Sequence, residues 1–219
     1  GLAFKETYQP GDDFSRYVAI LDREGTLAAL RAFNVREAPE GTKWNYASNL
    51  TMIPALLIQA VTGQTVTRYM TERLWQPMGA EADATWIVGT DGLELVGGRF
   101  NAVLRDWGRL AILLANDGAI AGRQLVPKEY LVEATDRKLH PFFLQSVDKA
   151  GTGYGYLFRT LPGEDRQFAS TGIFGQWMLV APGRKLAMVI TSAGRKAIDP
   201  ALDEEVLAAW HDLVAKYAR

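Results

Sequence analysis

Apolar residues recur at helical spacing through the first two thirds of the chain and at strand spacing after it. Residues 1 to 18 are turn-rich, with Tyr8, Pro10, Gly11, Asp12 and Asp13 set among Phe4, Phe14 and Tyr17. From Asp13 through Ala32 a helical pattern runs through Tyr17, Ile20, Leu21, Leu27 and Leu30, broken at Gly25. Thr51 to Val61 is apolar on nearly every face and predicts a buried helix. Thr51 would be its N-cap, Pro54 falls in its first turn, and Gly63 stops it. Val66 to Trp75 predicts a second helix closed by Gln76-Pro77. Ala82 to Val96 reads as short strands and turns around Trp86. Asn101 to Asn116 is strongly helical, with Leu104, Trp107, Leu110, Ala111 and Leu114 on one face. Pro127 to Ala134 is a shorter helix, and Arg137 to Gly153 is irregular.

The period then changes. Tyr154 to Arg159, Gln167 to Ser170, Gly175 to Val180 and Lys185 to Ser192 are β-like. Pro182-Gly183 between the last two has the composition of a type II hairpin turn. Asp199-Pro200 opens a final helix striped by Leu202, Val206, Trp210, Leu213 and Tyr217. Its early acids and its late Lys216 and Arg219 match the helix dipole. A helical middle, an antiparallel meander and a covering helix predict an α/β (α+β) fold with no βαβ alternation. The expected organisation is a single domain over 1–219, with a loop and helical lobe at 1–153 and the sheet and C-terminal helix at 154–219.

Composition narrows the chemistry. A net charge of −1, with acids and bases mixed throughout, offers no basic stripe for nucleic acid. The absence of cysteine excludes disulfides and thiolate chemistry, and two histidines, His140 and His211, do not make a histidine-rich metal site. Gly151, Gly153 and Gly155 lack the spacing of a phosphate cradle, so no cofactor is expected. His140 is expected to be solvated in a loop and His211 to lie at a rim. No apolar run reaches membrane-spanning length. The chain opens at Gly1 without an initiator Met, and its compartment, cytoplasmic or periplasmic, stays open.

Two polar stretches stand out against this background. Tyr46 and Ser48 place a phenol and a hydroxyl just before the apolar helix, where a rigid element fixes their direction. On that stretch alone, a packing role for Tyr46 and a capping role for Ser48 is the simpler reading. Ser170-Thr171-Gly172-Ile173-Phe174-Gly175-Gln176 puts glycines at a strand edge, where backbone approaches a ligand or where a bulge sits. No Gly-x-Ser-x-Gly elbow is present to support an α/β-hydrolase. The aromatics Phe4, Tyr8 and Tyr17 fit either a lid over a cleft beside Tyr46, with a mobile Asp12–Asp13 turn, or a static plug at a core edge.

The order of these stretches carries a resemblance. Trp44-Asn45-Tyr46-Ala47-Ser48 and the helix to Thr62-Gly63-Gln64 come first, then Glu72-Arg73-Leu74-Trp75-Gln76-Pro77-Met78-Gly79 and Asp83-Ala84-Thr85-Trp86. Asn101 to Trp107, Tyr154-Gly155-Tyr156 and the stretch from Ser170 to Gln176 follow. Together they resemble the serine β-lactamase and penicillin-binding-protein-like hydrolases, and within them the class C-like esterases and 6-aminohexanoate-dimer hydrolases. The resemblance implies a β-lactamase/transpeptidase-like fold and a small-molecule ester or amide substrate. It implies that Tyr46 shuttles a proton, with Ser48 completing its motif. It also places Ser170, Thr171 and Gly172 on the edge strand and puts the N–H of Ile173 at the oxyanion, while the aromatic N-terminal segment itself offers Tyr8 and Tyr17 as substrate contacts. Such a mechanism is coherent, because a lysine ammonium lowers the pKa of a neighbouring phenol and makes it a base for serine.

Two departures matter. The family's Ser-x-x-Lys precedes its tyrosine motif, and the one match here, Ser146-Val147-Asp148-Lys149, comes after the helical lobe. The glycines that follow it cannot continue a buried helix, so it reads as a chance match. Gly1-Leu2 resembles the segment after the nucleophile helix, so the chain is expected to be a C-terminal portion without its nucleophile. Its partner would then be the missing N-terminal segment or a second copy. The second departure is Ser170, where the family has lysine for a substrate carboxylate. A neutral hydroxyl cannot supply that charge-assisted bond, worth roughly 1.5–3 kcal/mol, which favours esters or amides without an obligatory carboxylate. A catalytically inactive binding or regulatory domain is the competing reading.

Overall fold

Gly25 splits the first helical stretch into α1, Asp13–Glu24, and α2, Thr26–Ala32. Its φ of 87° and ψ of 177° suit glycine alone, and a Cβ there would lie 2.8 Å from the Asp91 carboxylate. That carboxylate instead accepts the Thr26 N–H and caps α2. The computed structural model describes residues 1–144 and 151–217. Contacts divide the chain into two units, Gly1–Gln76 with Ala82–Ala102, and Pro77–Glu81 with Val103–Arg219. Within the second unit the long helix after Val103 packs with the sheet.

In the first unit, a 3₁₀ turn at Ser48–Thr51 leads into α3, Met52–Thr62. Thr51 stands at the N-cap position of α3, as expected, but its side chain makes no capping hydrogen bond. Its backbone is already helical, and its Oγ1 donates to the Ser48 carbonyl at 2.6 Å. Gly63 ends α3 with a φ of 67°, as expected. The buried helix does not materialise. Met52 and Ala55 are buried, but Leu57 is 58% and Val61 83% exposed, with Ile53 on the same stripe. The core of this unit, Phe4, Tyr17, Leu21, Ala29, Ala47, Met52 and Leu95, reaches only the first turn of α3. Next comes α4, Val66–Met70, which widens into a π-helical turn at Thr71–Trp75. Thr65 and the buried Glu94 cap α4, the latter through the Thr67 N–H at 2.9 Å. Strands β1, Thr85–Trp86, and β2, Phe100–Asn101, form a short antiparallel pair.

The second unit opens with α5, Leu104–Ala115, then the hairpin of β3, Ala119–Ile120, and β4, Arg123–Gln124, then α6, Lys128–Thr135. The fully buried Asp106 of α5 accepts the Glu81 N–H at 2.9 Å and Arg109 Nη1 at 2.7 Å. Arg109 also reaches the Glu81 carboxylate, so one network fastens the 77–81 stretch to the helix.

The rest of this unit is a five-stranded antiparallel sheet in sequential order. Its strands are β5, Gly153–Tyr154; β6, Arg159–Thr160; β7, Phe168–Gly172; β8, Gln176–Ala181; and β9, Leu186–Ile190. Helix α7, Pro200–Lys216, follows. Period-two alternation sorts the side chains. Phe168, Met178 and Val180 join Ala111, Leu114 and Leu131 of α5 and α6, whereas Ala169, Trp177, Leu179 and Ala181 join Val206 and Trp210 of α7. The single strand expected over Tyr154–Arg159 is two, because the chain bends at Gly155. A Cβ there would stand 2.0 Å from the Ala134 carbonyl, which instead accepts the Tyr156 N–H. The Pro182 turn also differs from expectation. Pro182–Arg184 is a 3₁₀ turn, and Lys185, with φ 49°, takes the left-handed conformation assigned to Gly183. His140 is half-buried against Phe143 and Tyr156, so the solvated position expected for it is not observed. Among the described residues no single helix is long and apolar enough to cross a membrane.

Candidate active site

In the first unit the expected residues meet around a carboxylate that sequence reasoning missed. Asn45 Nδ2 donates to the carbonyls of Leu2 and Phe4, which pins the Trp44–Ala47 stretch to the N-terminal segment. Ser48 then begins the 3₁₀ turn, and Glu6 caps it. One Glu6 oxygen accepts the Ser48 N–H at 2.8 Å, and the other accepts the Ser48 hydroxyl at 2.6 Å. The Tyr8 phenol lies within electrostatic reach of Tyr46 and Glu6, and its ring sits edge-on to Phe14 at 5.2 Å. Burial first, then the neighbouring Tyr46 and Glu6, push the Tyr8 phenol well above its ordinary value. Tyr46 is 36% exposed and lies 6.4 Å from the Trp44 ring. Glu6, Tyr8, Tyr46 and Ser48 therefore form one polar group.

Tyr17 does not belong to it, and neither does Phe4. Both are buried, packed edge-on to one another and to Phe33. Burial, with a smaller contribution from Asp91, pushes the Tyr17 phenol up to about 12. Tyr17, expected against substrate, is buried in the core, whereas Tyr8 lies near Tyr46. Nor is the Asp12–Asp13 turn loosely held. Asp12 is buried, caps α1 through the Ser15 N–H at 2.7 Å, and accepts the Thr7 N–H at 2.8 Å.

The Asp12 carboxyl is held well below its ordinary 3.8, by the Ser15 N–H first and Thr7 besides, against the opposing effect of burial. A depressed folded value means that its stabilising contribution is complete above the unfolded value and disappears as pH falls towards the folded one. Melting temperature followed from about pH 5 to pH 2 should therefore fall more steeply for the wild type than for Asp12→Asn, which keeps a capping oxygen without the charge. Parallel curves would show that Asp12 does not drive this acid limb.

In the second unit Ser170, Thr171 and Gly172 are the last three residues of β7, with Ser170 and Gly172 exposed. Gly172 pairs with Gln176 as the final rung of the ladder, so Ile173 stands just past it. The turn beyond is fixed on several sides. Phe174 N–H donates to Ala197 and its carbonyl accepts from Gly194, while Gln176 Nε2 donates to the Ser192 carbonyl at 2.5 Å. Gly175 has φ 83°, and a Cβ there would meet Leu202 at 2.7 Å, so only glycine closes this turn. A second missed residue is Arg159, whose Nε donates to Thr171 Oγ1 at 3.0 Å. On the same side, burial pushes the Asp203 carboxyl up, opposed by the Trp177 indole N–H and by Arg159. Ser146 and Lys149 lie outside the described residues. Among the described residues, no group of three or more acidic or imidazole side chains is arranged to hold a metal ion.

The family model described as Beta-lactamase matches residues 2–209, and the chain belongs to that family. A Bacillus anthracis protein assigned as a 6-aminohexanoate-dimer hydrolase is 18% identical, with a TM-score of 0.80 over 100% of this chain and 60% of its own. A penicillin-binding protein homologue from Caulobacter crescentus is 18% identical, with a TM-score of 0.62 over 86% of this chain and 63% of its own. A family VIII carboxylesterase is 15% identical, with a TM-score of 0.64 over 89% and 65%. At such identities the likeness is one of fold. The chain spans about three fifths of the length of these structures. Comparison with curated protein sequences gives no match.

Proposed function

We propose that these residues supply the base and the oxyanion donor of a serine hydrolase that cleaves an ester or amide by acyl transfer. Membership of the beta-lactamase family supports the hydrolase class, and a carboxylesterase and a 6-aminohexanoate-dimer hydrolase among the structural neighbours support the substrate type. The observation that carries the reading is the Glu6 carboxylate that fixes Ser48 two residues after Tyr46, with the Tyr8 phenol near both Glu6 and Tyr46. In this reading Tyr46 takes the proton of the attacking serine and returns it to the leaving alcohol or amine. Ser48 holds the site by hydrogen bonding, and the Ile173 N–H receives the developing oxyanion. Ser170, Thr171 and Gly172 border the substrate, and Tyr8 lies against it. The nucleophile belongs to a segment outside the 219 residues, since the only Ser-x-x-Lys among them follows the helical region.

That same motif position favours one second reading, a catalytically inactive binding or regulatory domain. A Ser-x-x-Lys encoded upstream of Gly1 in the parent gene decides for the enzyme. The 219 residues alone should show no turnover of p-nitrophenyl acetate. They should also self-associate or bind a hydrophobic dye, since Ile53, Leu57 and Val61 form an exposed apolar stripe. A monomeric, dye-silent preparation with its own esterase activity would overturn the proposal and return attention to Ser146.

A further inference from the structure

Helix α6 carries Glu129, Val132 and Glu133 at spacings of three and four, so they share one side of it. An open groove of ≈ 510 Å³ follows that side, lined by Lys128, Glu129, Val132, Glu133, Leu139 and His140. The chemistry proposed above makes no use of it. Glu133 is its anchored member. The Tyr156 N–H donates to the Ala134 carbonyl at 3.1 Å, which lays that tyrosine against the end of α6. Its hydroxyl then donates to Glu133 Oε1 at 2.9 Å. This hydrogen bond is the first cause that pushes the Tyr156 phenol above its ordinary value. The buried Phe143 meets the Tyr156 ring edge-on at 5.6 Å, with Tyr130 at 6.2 Å and His140 stacked at 6.4 Å. Tyr130 and Tyr156 are 49% and 37% exposed, so ring surface is left open around the carboxylate.

We propose that this groove binds a primary ammonium ion with an apolar body. The charged end rests on Glu133 beside the Tyr156 ring, and the alkyl part runs along Val132 and Leu139. Charge complementarity selects that class of ligand. An ammonium N–H finds a carboxylate oxygen to donate to, next to an aromatic ring that attracts cations. Tyr156 occupies only Oε1 of Glu133, and Glu129 adds a second negative charge with no ion pair among the described residues. An anion would face both carboxylates, and among the described residues no trio of ligands for a metal ion is present. Lys128 stands 3.7 Å from Asp117 Oδ2, so its charge is partly answered by a residue that does not line the groove. His140 Nε2, 3.9 Å from Glu133 Oε1, competes for the same carboxylate when it is protonated. The site involves neither Tyr46 nor Ile173, so it does not depend on the hydrolase reading.

The test is equilibrium dialysis of the 219-residue chain at pH 8 against hexylammonium and against hexan-1-ol, its neutral counterpart. Hexylammonium should bind about tenfold more tightly than hexan-1-ol, or better, which is the usual effect of one charge-assisted hydrogen bond. Glu133→Gln should erase that preference and leave both probes at the hexan-1-ol level. Equal binding of the two probes by the wild type overturns the proposal, and is what adsorption to the exposed apolar stripe on α3 would give. A preference for hexylammonium that survives Glu133→Gln overturns it as well, since the cation then sits on another acidic surface. The Glu133 side chain is 53% exposed, so Glu133→Gln is expected to fold, and the wild-type comparison needs no substitution. Neither measurement reads turnover, so failure here leaves the assignment of Tyr46 untouched.

Discussion

Tyr46→Phe, made in a protein that also carries the serine nucleophile, is expected to lose turnover by ~10²–10⁴-fold while keeping its melting transition. The substitution deletes one oxygen and keeps the ring, so the contact with Trp44 at 6.4 Å survives. Tyr46 is more than a third exposed, so deleting its hydroxyl should cost the fold about 1 kcal/mol, the usual net worth of one hydrogen bond. A rate loss of several decades with little change in stability therefore separates chemistry from packing. Mass spectrometry of the quenched reaction should show no acyl-enzyme. Loss of stability and activity together would make Tyr46 a packing residue, and unchanged activity would end its assignment as base. Substituting the Ile173 side chain should matter much less, because its proposed role belongs to its backbone N–H.

Asp106→Ala is expected to be the most damaging single change to the fold of the second unit, at about 3 kcal/mol. Asp106 is fully buried, and its carboxylate accepts the Glu81 N–H at 2.9 Å and Arg109 Nη1 at 2.7 Å. Removing it leaves the partly buried Glu81 N–H without this acceptor and opens a cavity beside α5. The Arg109 guanidinium partly reaches water and keeps Glu81, so it softens the loss only slightly. For a chain of this length that corresponds to a fall in melting temperature of roughly 6–12 °C by circular dichroism. Asp106→Asn, which can still accept from Glu81, should fall between the variant and the wild type. A shift below about 2 °C in Asp106→Ala would mean that the 77–81 stretch is held by other contacts.

Much of this architecture is legible in the residues, and the failures have a common cause. Gly25, Gly63, Pro200 and the face of α5 act locally, through φ and through spacing, so they can be read from a short window. Alternation in β7 and β8 likewise sorts side chains to opposite faces without knowledge of what covers them. Thr51 holds its expected N-cap position but turns its hydroxyl to the Ser48 carbonyl, while the turn before it is capped by Glu6, 42 positions from Ser48. No spacing connects such a pair. The buried α3 was an inference from apolarity alone, which measures what a helix could cover and says nothing of whether a partner is there. The burial of Tyr17 was legible too. It sits on the same stripe of α1 as Leu21, so the pattern that predicted the helix already placed it in the core. In the first unit Glu6, which fixes Ser48, carries no signal in the sequence, and in the second unit neither does Arg159, which donates to Thr171.

The outer strand of the sheet, β9, has a consequence for how the protein is handled. Its five residues, Leu-Ala-Met-Val-Ile, are all half-buried and contain neither charge nor proline, with Lys185 just before them. Strands at sheet margins are ordinarily blunted by one of those devices, and a margin without them is a template for another backbone. Assembly along this margin would add rungs to a sheet that stays folded, giving ordered, β-rich particles. Association through the stripe on α3 would instead be greasy and without register. The two routes respond to opposite remedies: mild detergent masks the stripe, whereas dilution starves the growing ladder. Storage concentration, more than temperature, then sets how long a preparation stays dispersed.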